Sequence, residues 1–181
     1  MTWEEVFKKV IVMLDEAEST VLKTNMEDYK NKIYECADSC QRELAVFVSH
    51  IVKRRMTESI KGEIKLPEDC YEVLSLTDSD GNRVSFDDCG EGILGAESGE
   101  YIMKYNAYPK RFTESNELSE KPEISEEAQE AMVYGICAGL CINDEPELYS
   151  TYMARYNGMI DTIISRKNQY PRVSVKGGIR L

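Results

Sequence analysis

The sequence Leu66-Pro67-Glu68-Asp69-Cys70-Tyr71-Glu72-Val73-Leu74-Ser75-Leu76 opens a region in which the apolar period changes from helical to alternating. A second alternating run, residues 83–86, follows a turn at residues 78–82, whose Asp80-Gly81 pair suits the positive φ angles of a hairpin. A third run, residues 101–105, follows Ser98-Gly99. We therefore predict an inserted antiparallel β-meander over about residues 64–108.

The segments on either side of this insert repeat their apolar positions at helical spacing. This spacing predicts helices over about residues 2–14 and 27–54 before the insert and about 125–143 and 145–166 after it. Thr2 with Glu5 forms a capping-box pattern, and Ser125 is a suitable N-cap. Small residues on the third helix, including Gly135 and Gly139, would allow close packing. The expected fold is α+β: an antiparallel bundle of about four helices with an inserted β-meander, forming a single domain over residues 1–169.

The charge of the chain is negative overall and uneven. The 181 residues carry a formal net charge of −11, which argues against general affinity for nucleic acid. Residues 112–130 hold seven Glu against one Lys, whereas residues 170–181 are basic and contain no acidic side chain. This asymmetry indicates oppositely charged contact regions. The sequence has no apolar run of the roughly 20 residues that a membrane span needs and no secretion-signal pattern. We therefore expect a soluble intracellular protein with no membrane partner.

Six cysteines are present, and four of them form the helical pairs Cys36/Cys40 and Cys137/Cys141. One interpretation joins the two pairs in a four-thiolate zinc site, because tetrahedral zinc accepts such a ligand set. The other places them in the core, because free cysteine behaves as a small buried hydrophobe. We favour the core and expect no bound metal or cofactor.

The sequence contains no recognisable catalytic set. His50 is the sole histidine and has no nearby Ser/His/Asp or Cys/His pattern. The glycines at positions 90–99 lack the lysine and helix onset of a phosphate loop. The Asp78-Ser79-Asp80 run resembles the start of a calcium loop, but Arg83 and Cys89 stand where that loop needs glycine and glutamate. We therefore expect a protein that is not an enzyme.

Tyrosines concentrate in two places, near the last predicted strand and along the last predicted helix. Tyrosine buries apolar area while keeping a polar tip, which suits subunit interfaces, although the same spacing also suits an ordinary core. Both roles stay open from the sequence. The inter-subunit candidates are Tyr101, Tyr105, Tyr108, Tyr149, Tyr152 and Tyr156.

Several short motifs occur in a fixed order along residues 1–166. They are carried by Leu66, Pro67, Asp69 and Tyr71, by residues 99–101 and 105–109, by residues 124–128, and by residues 144–147. With the order of helices and strands, these motifs resemble the head–tail connector (adaptor or neck) proteins of tailed bacteriophages. The cysteine content departs from that family pattern.

The resemblance implies a structural virion protein. Such connectors form a ring, commonly of twelve copies, beneath the portal; the ring binds the portal and the tail or a second neck protein. Double-stranded DNA would pass through without specific binding. Residues 170–181 would be an extended C-terminal arm that docks on the portal through Arg172, Val173, Val175, Lys176, Ile179 and Arg180. The loop at residues 77–99 is a second docking candidate. The alternatives are a non-viral protein–protein interaction module and a zinc protein with a four-cysteine site.

Overall fold

A computed structural model of the protein describes residues 1–16, 26–88, 90, 92–95 and 97–169. Within these residues the fold is α+β, with helices before and after a block of antiparallel strands. The helices are α1 (Trp3–Glu16), α2 (Met26–Phe47), α3 (Glu126–Cys141) and α4 (Pro146–Gln169). Among the described residues, no helix combines the length and the hydrophobicity needed to cross a membrane.

The strands form two antiparallel sheets. The strands are β1 (Ile51–Ser59), β2 (Glu63–Lys65), β3 (Cys70–Asp78), β4 (Arg83–Val84), β5 (Asp87–Asp88), β6 (Gly92–Leu94) and β7 (Gly99–Ala107). The larger sheet has the order β1-β7-β3-β4 and the smaller one β2-β6-β5. The predicted hairpin is confirmed as the β3–β4 pair. The strands do not follow one another as in a simple meander, because β7 lies between β1 and β3.

The prediction of a helix over residues 27–54 is wrong at its end. Helix α2 stops at Phe47, and Ile51–Ser59 is a strand paired along its whole length with β7. The spacing of Phe47, Val48 and Ile51 imitates a helical stripe, yet Phe47 is 66% exposed. Pairing with a segment some fifty residues away overrides this local pattern. The predicted insert therefore begins too late, since the strands start at residue 51.

The helical core is organised around α3. Its buried residues contact α1 on one side and α2 and α4 on the others. Gly135 and Gly139 permit this approach: a Cβ at Gly135 would lie 2.5 Å from Cys40 Sγ, and one at Gly139 would lie 2.8 Å from Cys36 Sγ. The predicted role of these small residues in close helix packing is thus confirmed.

Two caps predicted from the sequence are also confirmed. Thr2 N–H donates to Glu5 Oε2 at 2.8 Å, and Glu5 N–H donates to Thr2 Oγ1 at 3.3 Å, which forms the capping box of α1. Ser125 Oγ accepts from the N–H of Ala128 at the start of α3. Linker carbonyls satisfy two further N–H groups of the first turn of α1, because Trp3 donates to Glu120 O and Glu4 to Leu118 O.

The strands form a lobe with a second core. One face of the larger sheet buries Tyr101, Met103 and Tyr105 against Ile64 and Ile93 of the smaller sheet. Ile51 contacts both this core and the helical core, so it joins the lobe to the helices. The opposite face of the larger sheet is left without a covering layer at its centre, where Met56 and Ile102 are exposed.

Candidate interaction surface

The exposed face of the larger sheet carries aliphatic side chains. Residues directly opposite each other in an antiparallel pair point to the same face, so Met56 and Ile102, which are paired, lie side by side. Met56 is 70% exposed and Ile102 is 45% exposed, and Val52 on the same face is 50% exposed. Aliphatic side chains grouped on one exposed face, with no layer over them, are typical of an interaction surface.

Cations stand beside these aliphatic residues. Arg54 is directly opposite Lys104 in the β1–β7 pair, and both point to the same face as Met56. Like charges in direct register repel each other and destabilise a sheet. Within the described residues, neither cation forms an ion pair. We call this group (Val52, Arg54, Met56, Ile102 and Lys104) the sheet patch.

The sequence pattern does not predict the sheet patch, because its helical spacing places Val52 and Arg54 in a helix. Ile102 and Lys104 were placed correctly on a strand, but their partners across the pair come from a distant segment. The usable signal was the β-branched Ile51-Val52 pair and the later Thr57, which favour a strand over the end of a helix.

A groove runs along the outer edge of β1. It has a volume of about 700 Å³ and is lined by residues 55–58 on one side and 65–69 on the other. Strand β1 is at the edge of its sheet, so one side of its backbone is not paired within the sheet. Near one end of this edge, Lys53 Nζ donates to Asp69 Oδ2 at 2.7 Å.

The Lys53–Asp69 ion pair alters the ionisation of both groups. Burial opposes the charge on Asp69, but the hydrogen bonds from Lys53 and Tyr105 outweigh it and hold the pKa of Asp69 below its usual value. The hydrogen bond to Asp69 raises the pKa of Lys53. The stabilisation is therefore present above the ordinary pKa of Asp, 3.8, and lost as pH falls through the lowered value. At high pH it is fully present below the ordinary pKa of Lys, 10.5, and lost as pH rises through the raised value.

Replacing Lys53 with Met is expected to lower the free energy of unfolding by less than about 1 kcal/mol at neutral pH, because exposed ion pairs are weak. Both side chains are more than a third exposed. Urea denaturation of wild type and Lys53→Met at neutral pH and at pH 3 measures the effect. The difference should shrink at pH 3; a difference that grows on acidification would contradict the ion-pair interpretation.

The acidic segment (residues 113–130) follows the strands and covers the start of α1. Its exposed Leu118 follows Glu114 and Glu117 in the chain and precedes Glu120, and these three glutamates are also exposed. Only two of its carboxylates form ion pairs within the described residues: Glu130 with Lys9, and Glu127 with Arg166. The acidic region predicted from the sequence is therefore exposed to solvent in the folded chain.

The predicted inter-subunit tyrosines fall into two groups. Tyr101, Tyr105, Tyr152 and Tyr156 are buried and pack within the chain, the core role that the sequence also allowed. Their hydroxyl groups have internal partners; for example, Tyr152 Oη donates to Met13 O at 3.0 Å. Tyr108 and Tyr149 are half-buried and so remain candidates for contact with another molecule. The Tyr108 ring contacts the Tyr71 ring, and the Arg42 guanidinium lies over the Tyr108 ring.

The two cysteine pairs face different neighbours. Cys36 and Cys40 lie against Gly139 and Gly135, whereas Cys137 Sγ lies 4.0 Å from the carbonyl oxygen of Val10 on α1. The described residues contain no group of three or more His, Cys, Asp or Glu side chains placed to hold a metal ion. The arrangement thus gives no support to the zinc alternative and places the four thiols in or beside the helical core.

The buried thiols are expected to resist alkylation in the folded protein. Burial raises the pKa of Cys40 and of Cys137 to about 12. At pH 8 the thiolate fraction at such a site is about 10⁻⁴, and the thiolate is the reactive form. Mass spectrometry after iodoacetamide treatment should find both residues unmodified in native buffer and fully modified in urea. Rapid labelling of either one in native buffer would contradict this packing.

The Asp78 turn and His50 have structural partners. Asp78 Oδ1 accepts from the N–H of Asp80 at 3.0 Å and from that of Asn82 at 2.8 Å, and Gly81 takes a φ of 86°. The carboxylate thus closes a hairpin turn, as the sequence indicated. His50 lies beyond the end of α2, and its Nδ1 is 2.9 Å from Tyr71 Oη.

The predicted portal-docking residues Arg172, Val173, Val175, Lys176, Ile179 and Arg180 lie outside the described residues. Helix α4 leads to them: near its end, Lys167 Nζ donates to the carbonyl oxygen of Val48, so the last described turn is next to the start of β1. The end of α4 therefore lies close to the base of the strand lobe. A scan against models of known protein families and a search of curated proteins find no match to this chain.

Proposed function

We propose that the protein is a structural head–tail connector of a tailed bacteriophage, a component of the virion that forms a ring beneath the portal. In this proposal the helices form the bundle of the connector and the strands form its inserted lobe. The ring, commonly of twelve copies in the family it resembles, joins the portal to the tail or to a second neck protein. DNA passes through without specific binding, because a net charge of −11 repels phosphate.

The observation that carries the proposal is the pair of unlike surfaces on one chain. The sheet patch is apolar and cationic, whereas the acidic segment is exposed and anionic. A closed ring with cyclic symmetry needs two different contact surfaces on every subunit. The chain offers both, and the resemblance in its motifs supplies the class of assembly.

The arm at residues 170–181 supplies the third contact in this proposal. Its basic and β-branched composition suits an extended segment that adds to the edge of a partner's sheet. Helix α4, which precedes it in the chain, ends beside the base of the strand lobe, where Lys167 Nζ donates to Val48 O. We propose that it docks on the portal and that it contributes little to the core formed by residues 1–169.

Mass photometry and negative-stain electron microscopy of the purified protein, alone and mixed with portal protein from the same phage, test the proposal. A cyclic oligomer in either sample is the expected result. A protein that stays monomeric with and without portal, and binds one unrelated protein partner, would contradict it and favour the non-viral interaction module.

Deleting residues 170–181 should leave the fold intact and abolish binding to portal. The expected circular dichroism spectrum and melting temperature equal those of the full chain, because residues 170–181 add nothing to the apolar stripes of the helices. Co-sedimentation with portal rings measures binding. A reversed-charge arm (Arg172→Glu with Arg180→Glu) should also bind poorly. Full binding by the truncated protein would remove the arm from the docking surface.

A further inference from the structure

The sheet patch contains an electrostatic conflict that the described residues do not relieve. Arg54 and Lys104 are directly opposite on one face, and neither has an anionic partner there. Glu58 and Glu100 on this face are paired with each other two residues beyond Met56 and Ile102. Glu72 of β3 shares the face as well, but it is opposite Asn106, whose Nδ2 donates to its carboxylate. An anionic group placed over Arg54 and Lys104 would therefore offset a repulsion already present in the subunit.

The aliphatic residues of the patch indicate which kind of anionic group would bind there. Met56 and Ile102 are paired and together expose a continuous apolar area beside the cations. A phosphate backbone would neutralise the cations but leave this area in water. A protein surface with carboxylates around an apolar side chain would cover both, which is the usual composition of an interface core with a charged rim.

The acidic segment of the same chain has this composition. Leu118 is 36% exposed, and Glu117 and Glu120 beside it form no ion pair within the described residues. Its backbone is held in place before any partner arrives, because Leu118 O and Glu120 O accept from the first turn of α1. A pre-formed surface loses less entropy on binding than a flexible one.

We propose that the sheet patch of one copy docks on the acidic segment of the next copy. In this contact Arg54 and Lys104 face Glu117 and Glu120, and Met56 and Ile102 cover Leu118. The two surfaces differ, so the contact is heterologous and can close into a ring. The inference rests on the proposed function and names the surfaces by which its subunits join.

The test reverses the charge of the patch in the variant Arg54→Glu/Lys104→Glu. These exposed or half-exposed side chains can change without disturbing a core. Like charges facing each other across the contact should raise the concentration needed for ring assembly by at least about tenfold. The matched control, Lys8→Glu/Arg155→Glu, makes the same net-charge change on exposed helix positions and should assemble as wild type.

A charge swap makes the test specific. The variant Glu117→Lys/Glu120→Lys alone should also weaken assembly. Combining it with Arg54→Glu/Lys104→Glu should restore assembly, because opposite charges then face each other again across the contact. Mass photometry over a concentration series, with melting curves to verify folding, gives the readout for every variant.

Each outcome decides the inference. Wild-type rings that persist unchanged in Arg54→Glu/Lys104→Glu would overturn it and leave the connector proposal standing. Intact Arg54→Glu/Lys104→Glu rings that bind double-stranded DNA more weakly than wild-type rings in a gel-shift assay would assign the patch to DNA and also overturn it. A wild-type protein that remains monomeric with portal present would overturn both.

Discussion

Trp3→Ala is expected to lower the free energy of unfolding by about 3–5 kcal/mol, the usual cost of truncating a buried tryptophan. Trp3 is 2% exposed, and its ring stacks on Phe112 with centroids 3.8 Å apart. Phe7 and Tyr34 complete an aromatic cluster that joins α1, α2 and the linker before α3. Removing the indole would leave a cavity where three segments meet.

Urea denaturation followed by circular dichroism measures this effect, since Trp3 is the only tryptophan and its loss removes the fluorescence signal. Trp3→Phe retains a ring over Phe112 and should cost clearly less. Val12→Ala, an exposed position on the same helix, is the control and should change stability by less than about 0.5 kcal/mol. Equal losses in Trp3→Ala and Val12→Ala would refute the described packing of α1.

Gly135→Ala is expected to destabilise the protein by about 1–3 kcal/mol, the usual cost of overpacking. In an open helix position the same change would stabilise by up to about 1 kcal/mol, because alanine is the better helix former. Here the new methyl group would lie 2.5 Å from Cys40 Sγ and 3.0 Å from Tyr156 Cε2. Both are held in the core, so α3 must move away from α2 and α4.

Gly158→Ala is the matched control for Gly135→Ala. Gly158 lies within α4, and a Cβ built there has no heavy atom within 4 Å apart from the backbone of its own helix and its chain neighbours. This variant should therefore become more stable. Thermal melts of the two single variants should shift in opposite directions from wild type. A gain in melting temperature for both would show that α3 does not approach α2 and α4 as closely as described.

Local sequence signals were sufficient to predict most of the helices and the turns. The capping box of Thr2 and Glu5, the N-cap at Ser125 and the Asp78 turn depend on contacts within a few residues, and all are confirmed. The end of α2 was predicted wrongly because an apolar spacing continues through Ile51. The competing partner of residues 51–59 is β7, and no local pattern reports a pairing at that separation.

The same distinction holds for the candidate surface. Charge asymmetry and the small residues of α3 can be read from the chain, because they depend on composition and on helical spacing alone. The placement of Arg54 opposite Lys104, with Met56 opposite Ile102, depends on the register between two distant strands. A slip of one residue would turn these side chains to the other face. Burial of the intervening residues Met103 and Tyr105 sets that register, so the folded arrangement of the lobe selects which side chains remain outside.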